Sequence, residues 1–118
     1  MTLEDNPLSI STIEKLAQKI VSLKEGLNPE VLYEWFMIIE EEAKARAPED
    51  LKGLIKVTQD PILPMKFKID ISRRAVKYFI EAIENNLDKM PFATRLYFQK
   101  VEEVILDEYE KSFNKSMK

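Results

Sequence analysis

The sequence predicts an all-α fold, an irregular bundle of four to five helices in one domain spanning residues 1–118. Three observations carry that expectation. Ser11-Thr12-Ile13-Glu14 has the form of a capping box, in which a hydroxyl and a glutamate three positions on satisfy backbone amides reciprocally. Pro29 and Pro91 stand where a helix would take its first residue, a place where proline's missing N–H is no loss. Apolar residues recur at three- and four-residue intervals through most of the chain, the spacing that lines one helix face.

A first helix begins at Ser11, carries Ile13, Leu16, Ala17, Ile20, Leu23 and Leu27 on one face, and stops at Gly26, which tolerates the left-handed conformation. Asn28-Pro29 restarts a helix that runs to about Arg46 and buries Val31, Leu32, Trp35, Phe36, Ile38, Ile39 and Ala43. Pro48 ends it. A short helix through Leu51, Leu54 and Ile55 comes next. Asp60-Pro61 and Leu63-Pro64 forbid a continuous helix, and Met65, Phe67, Ile69 and Ile71 alternate with Lys66, Lys68 and Asp70 at strand spacing. Leu54 to Thr58 tolerates strand as well. One short β-hairpin near residues 54–71 and an extended connector lying on the bundle both fit. A fourth helix from Arg73 to about Leu87 turns Val76, Phe79, Ile80, Ile83 and Leu87 inward. Asn85 to Lys89 form a turn, and a fifth helix from Pro91 buries Phe92, Leu96, Val101, Val104, Ile105 and Tyr109. The core expected from this phase is Trp35, Phe36, Phe79, Ile83, Leu96 and Val101.

Composition narrows the chemistry. With 18 Lys+Arg against 21 Asp+Glu the net charge is −3, so any contact with nucleic acid must use a local patch. The chain has no cysteine and no histidine. That removes disulfides, thiolate nucleophiles, iron–sulfur ligation, the commonest general base and the commonest transition-metal ligand. Two glycines, Gly26 and Gly53, cannot build a phosphate-binding loop or a dinucleotide fingerprint. Independent catalysis is not expected, and the chain itself is expected to bind no cofactor. The acidic runs Glu40-Glu41-Glu42 and Glu102-Glu103 read as helical surface. No apolar run reaches the length of a membrane span, and the N-terminus MTLEDNP has no signal-peptide character, so a cytoplasmic location is the default expectation.

Pro61 to Phe79 is the segment with most chemical content. It sets Lys66, Lys68, Arg73, Arg74 and Lys77 against the one carboxylate of Asp70. Ser72 reads as an N-cap, which puts Arg73 and Arg74 at a helix N-terminus that already carries about half a positive charge. Cations placed there favour a phosphate or carboxylate among them. Neutralisation by Asp70 and nearby glutamates, giving an ordinary solvated face, is the alternative. Arg95 and Lys89 add cations around the start of the last helix. If the last two helices run antiparallel, Arg95 and Arg73 lie at opposite ends of the pair.

The segment NNLDKMPFATRLYFQKVEEVI resembles the C-terminal domain of the archaeal and eukaryotic DNA primase large subunit, where a polar-Leu-basic lead-in precedes an arginine and an aromatic–aliphatic helix. Leu63-Pro64-Met65-Lys66 is similar to that family's proline-rich turn. The resemblance spans Pro61 to Phe113. The family's cluster cysteines and phosphate-site histidine are absent, which matches instead the archaeal accessory primase subunits of the PriX family. The resemblance implies that Arg95 grips the triphosphate of the initiating nucleotide, that Lys89 assists it, and that Tyr109 or Phe113 replaces a later aromatic. It also implies a non-catalytic subunit working with the primase catalytic and large subunits, a nucleoside triphosphate and a single-stranded DNA template or primer. Magnesium would accompany the triphosphate. Arg73, Arg74 and Lys77 complete the expected phosphate-binding set from the charge reading alone. A structural adaptor of a nucleoprotein assembly, without a nucleotide site, is the rival expectation.

Overall fold

The alternation of Phe67, Ile69 and Ile71 with Lys68 and Asp70 makes a strand at the centre of the molecule. In a computed structural model, which describes residues 7–12, 28–64 and 66–116, the elements are β1 (Pro7–Thr12), α1 (Pro29–Arg46), β2 (Ile55–Gln59), β3 (Phe67–Ser72), α2 (Val76–Asn86) and α3 (Phe92–Ser116). Short 3-10 turns lie at Glu49–Leu54, Arg73–Ala75 and Leu87–Lys89. The strands form one antiparallel sheet in the order β1-β3-β2. The expected all-α bundle is therefore incorrect: the fold is a small mixed α/β globule.

The reason is cooperative pairing. A two-stranded hairpin is marginal in water, whereas three strands sharing an apolar face against helices are stable. The missing strand is β1. Ser11 and Thr12, expected to open the first helix, are its last two residues and pair with Lys68 and Phe67. The rest of that expected helix lies outside the described residues. Register aligns Leu8, Ile71 and Ile55 across the sheet, then Ile10, Ile69 and Val57. These residues face the core, while Ser9, Asp70 and Lys56 line up on the outer face, the one-sided pattern of an antiparallel sheet with one solvated side.

Helix α1 crosses the buried face. Asn28 caps it, its Oδ1 accepting from the Val31 amide at 2.9 Å, and Leu32, Phe36, Ile39 and Ala43 are fully buried at helical spacing. Ile38, expected inside, is exposed, because the sheet takes up only one stripe of α1. Trp35 and Leu96 are half-buried; Phe36, Phe79, Ile83 and Val101 are in the core as expected. In α3 the inward residues include Tyr97 and Phe98, and Phe92 is 64% exposed. The phase of that helix is set by the aromatic ring of Phe36, which meets Phe98 at 4.7 Å and Tyr97 at 6.2 Å between ring centres. The same ring lies 4.5 Å from Phe67 of β3.

Two carboxylates of the Glu40-Glu41-Glu42 run are not plain surface. Glu40 Oε1 accepts a 2.6 Å hydrogen bond from the Val57 amide, on the edge of β2 that does not face β3. Glu42 likewise reaches across to α2, accepting from Asn85 at 3.1 Å and from Asn86 at 3.2 Å. Buried Asn86 also donates to the Ala82 carbonyl at 2.7 Å.

These contacts can be weighed by substitution. Phe36→Ala should lower the unfolding free energy by about 3–5 kcal/mol in urea titration; a loss under about 1 kcal/mol would mean that the aromatic junction is not what holds helix and sheet together. Glu40→Ala should cost about 1–3 kcal/mol by leaving the Val57 amide unmatched, with faster hydrogen exchange at Val57 as the local signature.

Candidate anion-binding site

Ser72 ends β3 and caps the turn after it: its buried hydroxyl accepts from the Arg74 amide at 3.2 Å. Arg73, Arg74 and Ala75 make a single 3-10 turn, and the α-helix begins only at Val76. No acidic residue occupies the first turn of α2. The chain thus leaves the sheet through a cationic corner.

That corner borders an open cavity of about 590 Å3, lined by Arg73, Arg74, Val76, Lys77, Tyr78, Ile80 and Glu81, by Pro48 and Leu51 before β2, and by Leu106 and Tyr109 of α3. Arg73 is only 9% exposed. Arg74 extends to Asp50 at 3.2 Å, in an ion pair with both side chains about half-exposed. Lys77 Nζ sits 5.0 Å from the Tyr78 ring centre, a cation–π approach. The lining therefore offers three cations and two phenols on apolar walls, with the Glu81 carboxylate among them.

The structure gathers three of the five expected site residues and separates the other two. Arg95 Nε donates to the Leu87 carbonyl at 3.0 Å and its Nη2 to the Met90 carbonyl at 3.3 Å. Its guanidinium thus bonds carbonyls of the turn that follows α2. Lys89 is exposed in the Leu87–Lys89 turn. Both stand at the far end of the 11-residue α2, about 16 Å from the cavity end at 1.5 Å per residue. Tyr109 reaches the cavity; the side chain of Phe113 lies outside the described residues.

A different group was missed. Glu102, read from sequence as surface, is half-buried, and its Oε1 has no hydrogen-bond partner among the described residues. Burial, and then the charges of Glu84 and Glu103, push its carboxyl above the ordinary range. Helical spacing alone could have flagged it, since Val101 and Ile105 flank it in the core. No group of three His, Cys, Asp or Glu suited to a metal occurs among the described residues, and no helix there is long and apolar enough to cross a membrane.

Comparison of the chain with protein families, curated proteins and solved structures finds no match. Nothing in those comparisons identifies it as a primase subunit.

Glu102, outside the cavity lining, gives the protein a pH signature. The folded protein binds its proton more tightly than the unfolded chain does. Its favourable contribution is therefore complete below the unfolded carboxyl value and is lost as pH rises through the higher folded value. Glu102→Gln should be more stable than the wild type at neutral pH, with the difference vanishing in acid. Urea midpoints of both proteins across the acidic range check this, and a pH-independent difference would refute it.

Proposed function

We propose that this chain is a non-catalytic subunit of a DNA primase, holding the initiating nucleotide or the 5′ triphosphate end of the primer while a separate subunit joins the next nucleotide. The observation that carries this reading is the cavity at the start of α2, where Arg73, Arg74 and Lys77 share one space with Tyr78 and Tyr109. A triphosphate needs cations, a planar base needs an apolar or aromatic wall, and this lining has both. Guanidinium groups suit phosphate because their planar fork meets two oxygens at once and keeps its charge at any physiological pH. The catalytic benefit would be positional: a nucleotide held in place lowers the entropic cost of the first bond. Magnesium would arrive with the triphosphate, bound through phosphate oxygens and water.

Arg73, Arg74 and Lys77 support this function more than Arg95 does, because Nε and Nη2 of Arg95 are directed to backbone carbonyls. The Arg74–Asp50 ion pair favours a second reading. There the cations serve the fold, and the protein is a structural adaptor without a nucleotide site.

Titration with magnesium ATP, followed by amide shifts and melting temperature, separates the two. Binding is expected for the wild type and should weaken as salt rises, since exposed charges are screened over about 8 Å at physiological ionic strength. Arg74→Ala combined with Lys77→Ala should weaken it by roughly tenfold or more, the equivalent of losing at least one charge-assisted phosphate contact of about 1.5–3 kcal/mol. Arg95→Ala should lower the melting temperature without changing affinity. A wild type that ignores ATP, or a double variant that melts early with unchanged affinity, gives the adaptor reading the field.

A further inference from the structure

The turn joining β2 to β3 carries aliphatic side chains that the core does not use. Ile62 is 84% exposed and Leu63 is 42% exposed, between Pro61 and Pro64. The amides of the described residues beneath them are bonded. Asp60 Oδ1 accepts from the amides of Ile62 and Leu63, each at 2.8 Å. The Lys66 amide donates to the Leu63 carbonyl and the Asp60 amide to the Lys66 carbonyl, both at 2.9 Å. Gln59 Nε2 donates to the Pro64 carbonyl at 2.9 Å. Pro61 and Pro64 have no N–H to satisfy. Every backbone donor of the described tip residues is thus either absent or bonded within the loop. Removing such a tip from water strands none of the described amides, and these bonds fix its shape in advance, so little ordering entropy opposes association. The amide bonds from Leu63 and Ile62 also hold the Asp60 carboxyl below its usual range, which keeps the loop's anchor ionised and bonded.

The charge around the tip selects the kind of partner. One flank is a cavity of about 430 Å3 on the outer sheet face, bordered by Lys56, Lys66 and Lys68 with Asp60 and Asp70. On the other flank Gln59 shares a recess with Glu30, Tyr33 and Glu34 of α1. A nucleic acid or an anionic lipid surface would be drawn to the first flank and repelled by the second. A protein surface can answer both signs, with an apolar centre and a polar rim.

We propose that the β2–β3 tip is a docking knob for another protein, with Ile62 and Leu63 entering an apolar pocket whose rim is acidic towards Lys66 and Lys68 and basic towards Glu30 and Glu34. This rests on the reading of the chain as a subunit of an assembly, and it gives that subunit its attachment point. The knob and the cationic corner lie at opposite ends of the six-residue strand β3, so one end can hold a partner while the other remains open to ligand.

The test is site-specific photo-cross-linking of the full chain in the cells it comes from, with p-benzoylphenylalanine at position 62 and, as control, at exposed position 92. One protein should be captured from position 62 and not from position 92. The purified captured protein should bind the wild-type chain, and Ile62→Asp should weaken that binding by roughly 30-fold or more, the loss expected of a central hot-spot side chain. Lys66→Glu should give a smaller loss with an altered salt dependence. The melting temperature of Ile62→Asp should match the wild type, since the side chain is outside the core. Arg74→Ala with Lys77→Ala should leave this binding unchanged, so a failed nucleotide site and a failed docking knob are told apart. No capture, equal capture from both positions, capture of nucleic acid, lipid or a second copy of the chain, or binding indifferent to Ile62→Asp would each overturn the proposal.

Discussion

The ring of Phe36 is the point on which the architecture turns. It is fully buried and touches Phe67 in β3 and Tyr97 and Phe98 in α3, elements distant from it in sequence. Tilted and edge-to-face contacts of this kind add specificity to area burial, because the ring quadrupoles favour some angles over others. The junction therefore sets more than cohesion. It fixes which stripe of α1 faces the sheet, and it rotates the start of α3 so that Tyr97 and Phe98 point inward and Phe92 outward. The cavity beside α2 inherits its far wall from that rotation, since Leu106 and Tyr109 lie further along the same helix.

Much of the helical part was legible because its signals are local. Asn28-Pro29 starts α1, and the Leu32, Phe36, Ile39, Ala43 stripe is readable from spacing. Ser72 as a cap needed only its neighbours. The sheet was not legible for a physical reason. Strand pairing is a long-range interaction, and Ile10 acquires its meaning from Ile69, 59 positions away. Read alone, Ser11-Thr12-Ile13-Glu14 satisfies a helix cap. In the fold, Ser11 and Thr12 gain more by completing a third strand, and tertiary pairing overrides local preference. The phase error at Phe92 has the same origin, because helical periodicity gives a stripe but not the object it faces.

The cations divide in a way that composition could not foretell. Arg73, Arg74 and Lys77 are placed together by the turn that leaves β3, a local consequence of their adjacency. Arg95 sits one helical turn after Pro91, and what it meets is the turn that follows the preceding helix. A long side chain at that position completes the backbone of another element. Its proximity to Lys89 in sequence therefore carries no information about a shared ligand.

The carboxylate of Glu40 has a consequence for assembly. A sheet edge with exposed amides is a template on which another strand can grow, whether from a partner peptide or a misfolded neighbour. Here the side chain from α1 occupies the Val57 donor on the outer edge of β2. A strand adding at that edge would have to displace the Glu40 side chain before it could bond the Val57 amide. At Val57, β-augmentation finds its donor already taken, and growth of the sheet is resisted at that position by a single hydrogen bond borrowed from a helix.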